Sequence, residues 1–149
     1  MYDVQEVARY IISYARQEKI ILSNLKLQKV LYMIWIEYYK DNGEYLFNEQ
    51  FCAWKIGPTI PKIFYEYCIF AGNNLGNFPW ETFSSTPLLN LSFLISFLET
   101  WLNKPMYLLN KLSLREEGAW QSIWNNGKGT RQPIPYNLII EKDTYFLNI

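Results

Sequence analysis

Lys26 and Lys29 stand three residues apart in the run Asn24-Leu25-Lys26-Leu27-Gln28-Lys29-Val30-Leu31-Tyr32, a spacing that sets both side chains on one side of a helix. Two ammonium groups so placed could grip an anion, or they could line an ordinary solvated face. Glu116-Glu117, near Trp120, could couple with Asp143 or Glu66 for acid/base work; the plainer reading is a solvated pair capping a helix start. Gly127-Lys128-Gly129-Thr130 has a trace of a phosphate loop, without the longer glycine run between strand and helix that a Walker loop requires. Cys52 and Cys68 have no second pair of ligands with which to hold a structural zinc. Histidine is absent, which removes the commonest general base, the Ser-His and Cys-His nucleophile pairs and the commonest metal ligand together. No catalytic centre, metal site or cofactor site is predicted.

A different kind of signal lies in Ala53-Trp54-Lys55-Ile56-Gly57-Pro58-Thr59-Ile60-Pro61. It joins a large aromatic ring, a cation and a Gly-Pro turn stiffened by a second proline, and rigid aromatic surfaces suit binding sites. Aromatic residues form 18% of the chain, more than a core already rich in Leu and Ile needs, so some rings are expected on a surface. Trp54 and Trp120 are each compatible with surface or core.

The elements that must position these residues follow from periodicity. Val4, Val7, Ala8, Ile11, Ile12 and Ala15 recur on one helical face after a capping-box-like Asp3 and Glu6. Ser23 and Asn24 open a second helix through Leu27, Val30, Leu31, Ile34, Trp35 and Tyr38, stopping near Asn42-Gly43. A small β-hairpin or extended element is expected near residues 45–56, ended by Gly57-Pro58. Pro61 suits the first turn of a third helix buried through Ile60, Ile63, Phe64, Tyr67 and Cys68. Residues 72–87 read as the longest loop, anchored by Phe78 and Trp80. Leu91 to Leu102, Pro105 to Leu112 and a stretch through Leu138 and Ile139 complete a mainly α, compact single-domain bundle of about five to six helices spanning 1–149.

Composition bounds the partners. Fourteen Lys and Arg balance fourteen Asp and Glu, so no long-range positive field draws in a phosphate backbone. The N-terminus lacks the basic opening and apolar run of a signal peptide, and Leu88 to Leu102 is too short and interrupted to span a bilayer. A cytoplasmic protein with no membrane partner is expected, its two cysteines free and buried in apolar surroundings.

Taken together, the Asn24 to Tyr32 run and the stretch Phe51, Ala53, Trp54, Gly57, Pro58 and Pro61 resemble the SocA-like antitoxin family, or Panacea domain, which includes phage-associated proteins of the GepA type. Val30 replaces the first of the family's paired leucines in "N-L-K-L-Q-K-L-L-Y", and Thr59 stands where "F-x-A-W-x-x-G-P-V-x-P" has valine. Val7 to Ile12, Tyr65-Glu66 and Leu109 to Ser113 also fit. The family's later "L-T-H-x-E-x-P-W" departs here: Glu117 and Trp120 carry over, while the histidine and proline do not, Arg115 lying where the histidine is usual.

The resemblance implies a mainly α fold with a small β element and a non-enzymatic module that neutralises a cognate toxin, by direct binding or by presenting it to a protease. The partner-binding residues it implies are Lys26, Gln28, Lys29, Trp54, Lys55, Gly57, Pro58, Tyr65, Glu117 and Trp120. A phage or mobile-element inhibitor of a host defence system, anti-CRISPR-like, is the alternative, motivated by the change at Arg115. A small hydrolase using Glu117 and Lys26, or a DNA-binding regulator with a local patch at Lys26 and Lys29, is further from what the residues favour.

Overall fold

In the computed structural model the described residues are 1–77 and 89–145. Helix α1, Val4–Gln17, is capped by Asp3, whose carboxylate accepts from the Gln5 N–H at 2.7 Å. Glu6 in the first turn pairs with Arg9, 2.8 Å away. Helix α2, Asn24–Asn42, starts under Ser23 Oγ, which accepts from the Lys26 N–H, and stops at Gly43 in the left-handed region at φ +68°.

Every residue from 27 to 36 is buried, so α2 has no solvent face through its middle and runs as the axis of the molecule. It touches α1 and five later elements: β2 (Gly57–Thr59), α3 (Pro61–Tyr67), α4 (Ile95–Trp101), α5 (Met106–Ser113) and α7 (Tyr136–Asp143). Much of the aromatic surplus is spent here. Trp35 stacks on Tyr136 with centroids 4.5 Å apart and donates its indole N–H to the Phe47 carbonyl.

The fold is mainly α with one two-stranded antiparallel hairpin, as expected, but two boundaries differ. The strands are β1, Cys52–Trp54, and β2, Gly57–Thr59, joined by Lys55-Ile56; Gly57-Pro58 thus begins the second strand rather than ending the element. Pro58 is tolerated because its opposite, Ala53, sends both backbone groups the other way. The Ala53 N–H donates to Gln132 O at 2.8 Å and its carbonyl accepts from the Arg131 N–H at 2.7 Å. The Ala53–Pro58 pair therefore requires no ladder bond, and the missing proline donor costs nothing.

The second difference is α6, Ala119–Trp124, which brings the described α-helices to seven where about five to six were expected. It is too short for its periodicity to show. Its C-terminal turn contains the glycine loop: the Gly129 N–H donates to Trp124 O, and a Cβ on Gly129 would overlap the Ile123 carbonyl. Those glycines terminate a helix and form no phosphate cradle. No helix among the described residues is long and apolar enough to cross a membrane. Of the long loop, Leu75–Asn77 fold against α1 as a 3-10 turn, while Phe78, Trp80 and the rest to residue 87 lie outside the described residues.

Candidate protein-binding surface at the hairpin tip

The polar residues opening α2 turn inward. Asn24 donates to the Phe64 carbonyl at 2.9 Å and accepts from Gln28 Nε2 at 3.2 Å, while Gln28 Oε1 accepts from the Ile60 N–H at 2.9 Å. These bonds latch the start of α2 to Ile60 at the β2–α3 junction and to Phe64 within α3, satisfying backbone groups that burial would otherwise leave bare. Lys26 lies along α4 and donates to the Leu102 carbonyl at 2.7 Å, a helix-terminal acceptor suited to a cation.

Lys29 is buried, 1% exposed, directly beneath the hairpin. Its Nζ donates to the Ile56 carbonyl at the tip, and burial pushes its pKa down to about 8. The ammonium occupies the space a Cβ would need at Gly57, whose φ of +119° in any case suits only glycine. Gln28, Lys29, Gly57 and Pro58, all expected on a contact surface, are therefore inside and hold the hairpin in place. Their regular spacing reflects a latch, which a motif reading cannot distinguish from a contact patch.

Trp120 is also internal, 4% exposed. It donates its indole N–H to the Trp54 carbonyl at 2.7 Å and stacks on Trp124, supporting β1 from behind. Glu116 and Glu117 are exposed and form a solvated pair, yet they do not cap α6; the Ala119 N–H donates to the Asp143 carboxylate at 3.2 Å. Asp143 further accepts from the Tyr32 hydroxyl and, at 3.1 Å, from Arg115, which also donates to the Lys142 carbonyl. Burial raises the Asp143 pKa, opposed by those donors. Glu66 is held by Arg9 and Gln5 of α1. Neither Asp143 nor Glu66 is placed as an acid/base partner of Glu117, and Lys26 is committed to α4.

What remains outward is a small aromatic and cationic face. Trp54 is half-buried, with Phe64 edge-on at 5.1 Å and Tyr65, 55% exposed, at 5.7 Å. Arg131 lies over the Trp54 ring, 5.1 Å from its centroid. Trp54, Lys55, Ile56, Phe64, Thr130 and Arg131 line a groove of about 270 Å³. Phe64, expected in the buried stripe of α3, is only half-buried and lines the groove instead; Arg131 had no sequence signal of its own and reaches Trp54 only because residues 131–134 run along the free edge of β1. The cysteines are free, though not buried as expected: Cys52 is partly buried and Cys68 is exposed.

Comparison with known proteins falls on this same region. The profile of the family described as "Antitoxin SocA-like, Panacea domain" matches residues 27–86. Antitoxin SocA of Caulobacter vibrioides (strain NA1000 / CB15N) is 39% identical over 62 residues, 42% of this chain and 33% of the relative. The match thus spans about a third of that relative's length. No solved structure matches. The matched segment holds Gln28 and Lys29 of α2, the hairpin and α3, so the chain is similar to the SocA-like antitoxins through the Panacea-domain residues that position the hairpin tip.

Proposed function

We propose that this chain is a cytoplasmic, non-enzymatic antitoxin, folded as one unit over 1–149, that grips a cognate toxin protein with the face formed by Trp54, Lys55, Ile56, Tyr65 and Arg131. The carrying observation is the exposed aromatic cluster fixed on a hairpin whose every support is internal: Lys29 under the tip, Trp120 behind β1, Gln28 at the junction. Such a platform loses little side-chain freedom on binding, which is what a protein anchor needs. The name of the Caulobacter relative and the family description support the antitoxin role. Either occlusion of the toxin or its hand-over to a protease would follow from that grip.

Arg115 faces Asp143 rather than a partner, so the departure at the family's histidine position is accounted for by internal packing and lends nothing to the host-defence alternative. The test is co-expression with the protein encoded next door, scored by growth rescue and co-purification. Trp54→Ala keeps the backbone carbonyl that Trp120 uses, so the variant is expected to fold and to weaken the complex by about 2 kcal/mol or more. A folded Trp54→Ala chain that rescues and co-purifies like the parent would remove this surface from consideration.

A further inference from the structure

We infer that the groove beside the hairpin tip takes an acidic segment of the partner, with carboxylates on Arg131 and Lys55 and an apolar side chain packed between Ile56 and Phe64. This rests on the protein-binding reading above and narrows it to one partner chemistry.

Charge complementarity carries the argument. Lys55 and Arg131 are both exposed at the groove, and neither has a carboxylate partner among the described residues. No acidic side chain among the described residues lines it. Two carboxylates on neighbouring elements are already engaged: Glu49 with Lys62 at 3.5 Å and Glu66 with Arg9 at 3.7 Å. Two uncompensated cations around an apolar floor favour a ligand with the opposite pattern. A guanidinium lying on a tryptophan face still presents its edge, where a carboxylate can be held by paired hydrogen bonds.

The backbone of Arg131 is an independent observation. It sits at φ +69°, a region that costs a non-glycine residue about 1 kcal/mol or more. The strain is maintained by its N–H donating to Ala53 O at 2.7 Å, and it sets the guanidinium over Trp54. A single strand of nucleic acid, the other ligand of basic aromatic faces, fits less well. The Trp54 face on which a base would stack is already covered by Arg131, and the ring is met edge-on by Phe64.

The experiment is selection from a displayed random-peptide library on the immobilised full chain, with the enriched peptides measured by fluorescence anisotropy. Enrichment of Asp/Glu-rich peptides carrying an aromatic or aliphatic residue is expected, with binding lost in Trp54→Ala. Arg131→Glu with Lys55→Glu should weaken them by at least about tenfold, and raised salt should weaken them too, while Lys19→Glu, a single charge reversal on the α1–α2 turn, leaves them unaffected. Arg131→Gln provides a milder variant should the reversal disturb folding. Trp54-dependent peptides without acidic excess, or indifferent to both Arg131 variants, would overturn the acidic partner and leave the protein-binding face standing. No Trp54-dependent peptide at all would overturn both. An oligothymidylate bound in an Arg131-dependent way would assign the groove to nucleic acid instead.

Discussion

Helix α2 carries two buried polar stations a turn apart, and they are built on opposite plans. At Lys29 a cation meets one neutral acceptor, the Ile56 carbonyl, and burial drives its pKa down. At Tyr32 the helix meets Asp143, a carboxylate that also receives Arg115 and the first N–H of α6. The first station is held by chain segments within about thirty residues of each other, 29 to 56, whereas the second joins residues 111 apart. The contrast separates two uses of a buried charge. Asp143 closes the fold by satisfying several donors at once, while Lys29 sets the height of a surface hairpin at a continuing desolvation cost.

The sharpest way to break this contrast is at the satisfied station. Asp143→Ala leaves the buried Tyr32 hydroxyl and Ala119 N–H without their acceptor and takes the carboxylate from the partly exposed Arg115, and should cost about 3–5 kcal/mol of stability. Chemical denaturation would measure it. Adding Arg115→Met should return part of the loss, because the cation that has lost its carboxylate leaves with it. A loss below about 1 kcal/mol would mean that Asp143 does not close the α6–α7 corner.

Gly57→Ala tests the other station through its geometry and comes next in size. At φ +119° the new methyl is strained, and it meets the Lys29 ammonium. A destabilisation of about 2–3 kcal/mol is expected, together with lost partner binding as the tip shifts. Lys29→Ala in the same chain should relieve the collision and leave the backbone strain, so the pair should be less than additive in a denaturation cycle.

The two stations also differ in how far a reader of the sequence can see them. Helices α1 and α2 were legible to their caps, because Asp3, Ser23 and Gly43 stand at the ends of clean apolar periods. The latch residues are visible as a motif, but polar side chains at helical spacing look alike whether they face solvent or a hairpin, so the motif alone puts Gln28 and Lys29 on the outside. Trp54 and Lys55 were found because aromatic, cation and Gly-Pro turn are neighbours in the chain. Arg131 was not, since its place over Trp54 depends on an edge pairing between residues 51–53 and 131–134. In the sequence Asp143 is only a carboxylate; its partners at 32, 115 and 119 have no spacing in common.

Lys29→Met is the smallest perturbation at neutral pH and the most informative about the latch. It removes a desolvated charge with a single neutral acceptor and keeps the length of the side chain, so stability at pH 7 should change by less than about 1 kcal/mol. Partner binding should nonetheless fall, because nothing then draws down the Ile56 carbonyl. The pH profile shows the buried charge directly. With a folded pKa of about 8 against 10.5 unfolded, the unfolded chain binds more protons between those values, and Lys29 adds stability as pH rises through that window. From pH 8 to 9.5 the parent should therefore gain on Lys29→Met by about 1.4 kcal/mol per pH unit at most. Comparing the two chains cancels the tyrosines, whose raised values act in the opposite sense above their ordinary range. Parallel profiles would show that Lys29 keeps its proton with no desolvation penalty, and the hairpin would then owe its height to Gln28 and Trp120 alone.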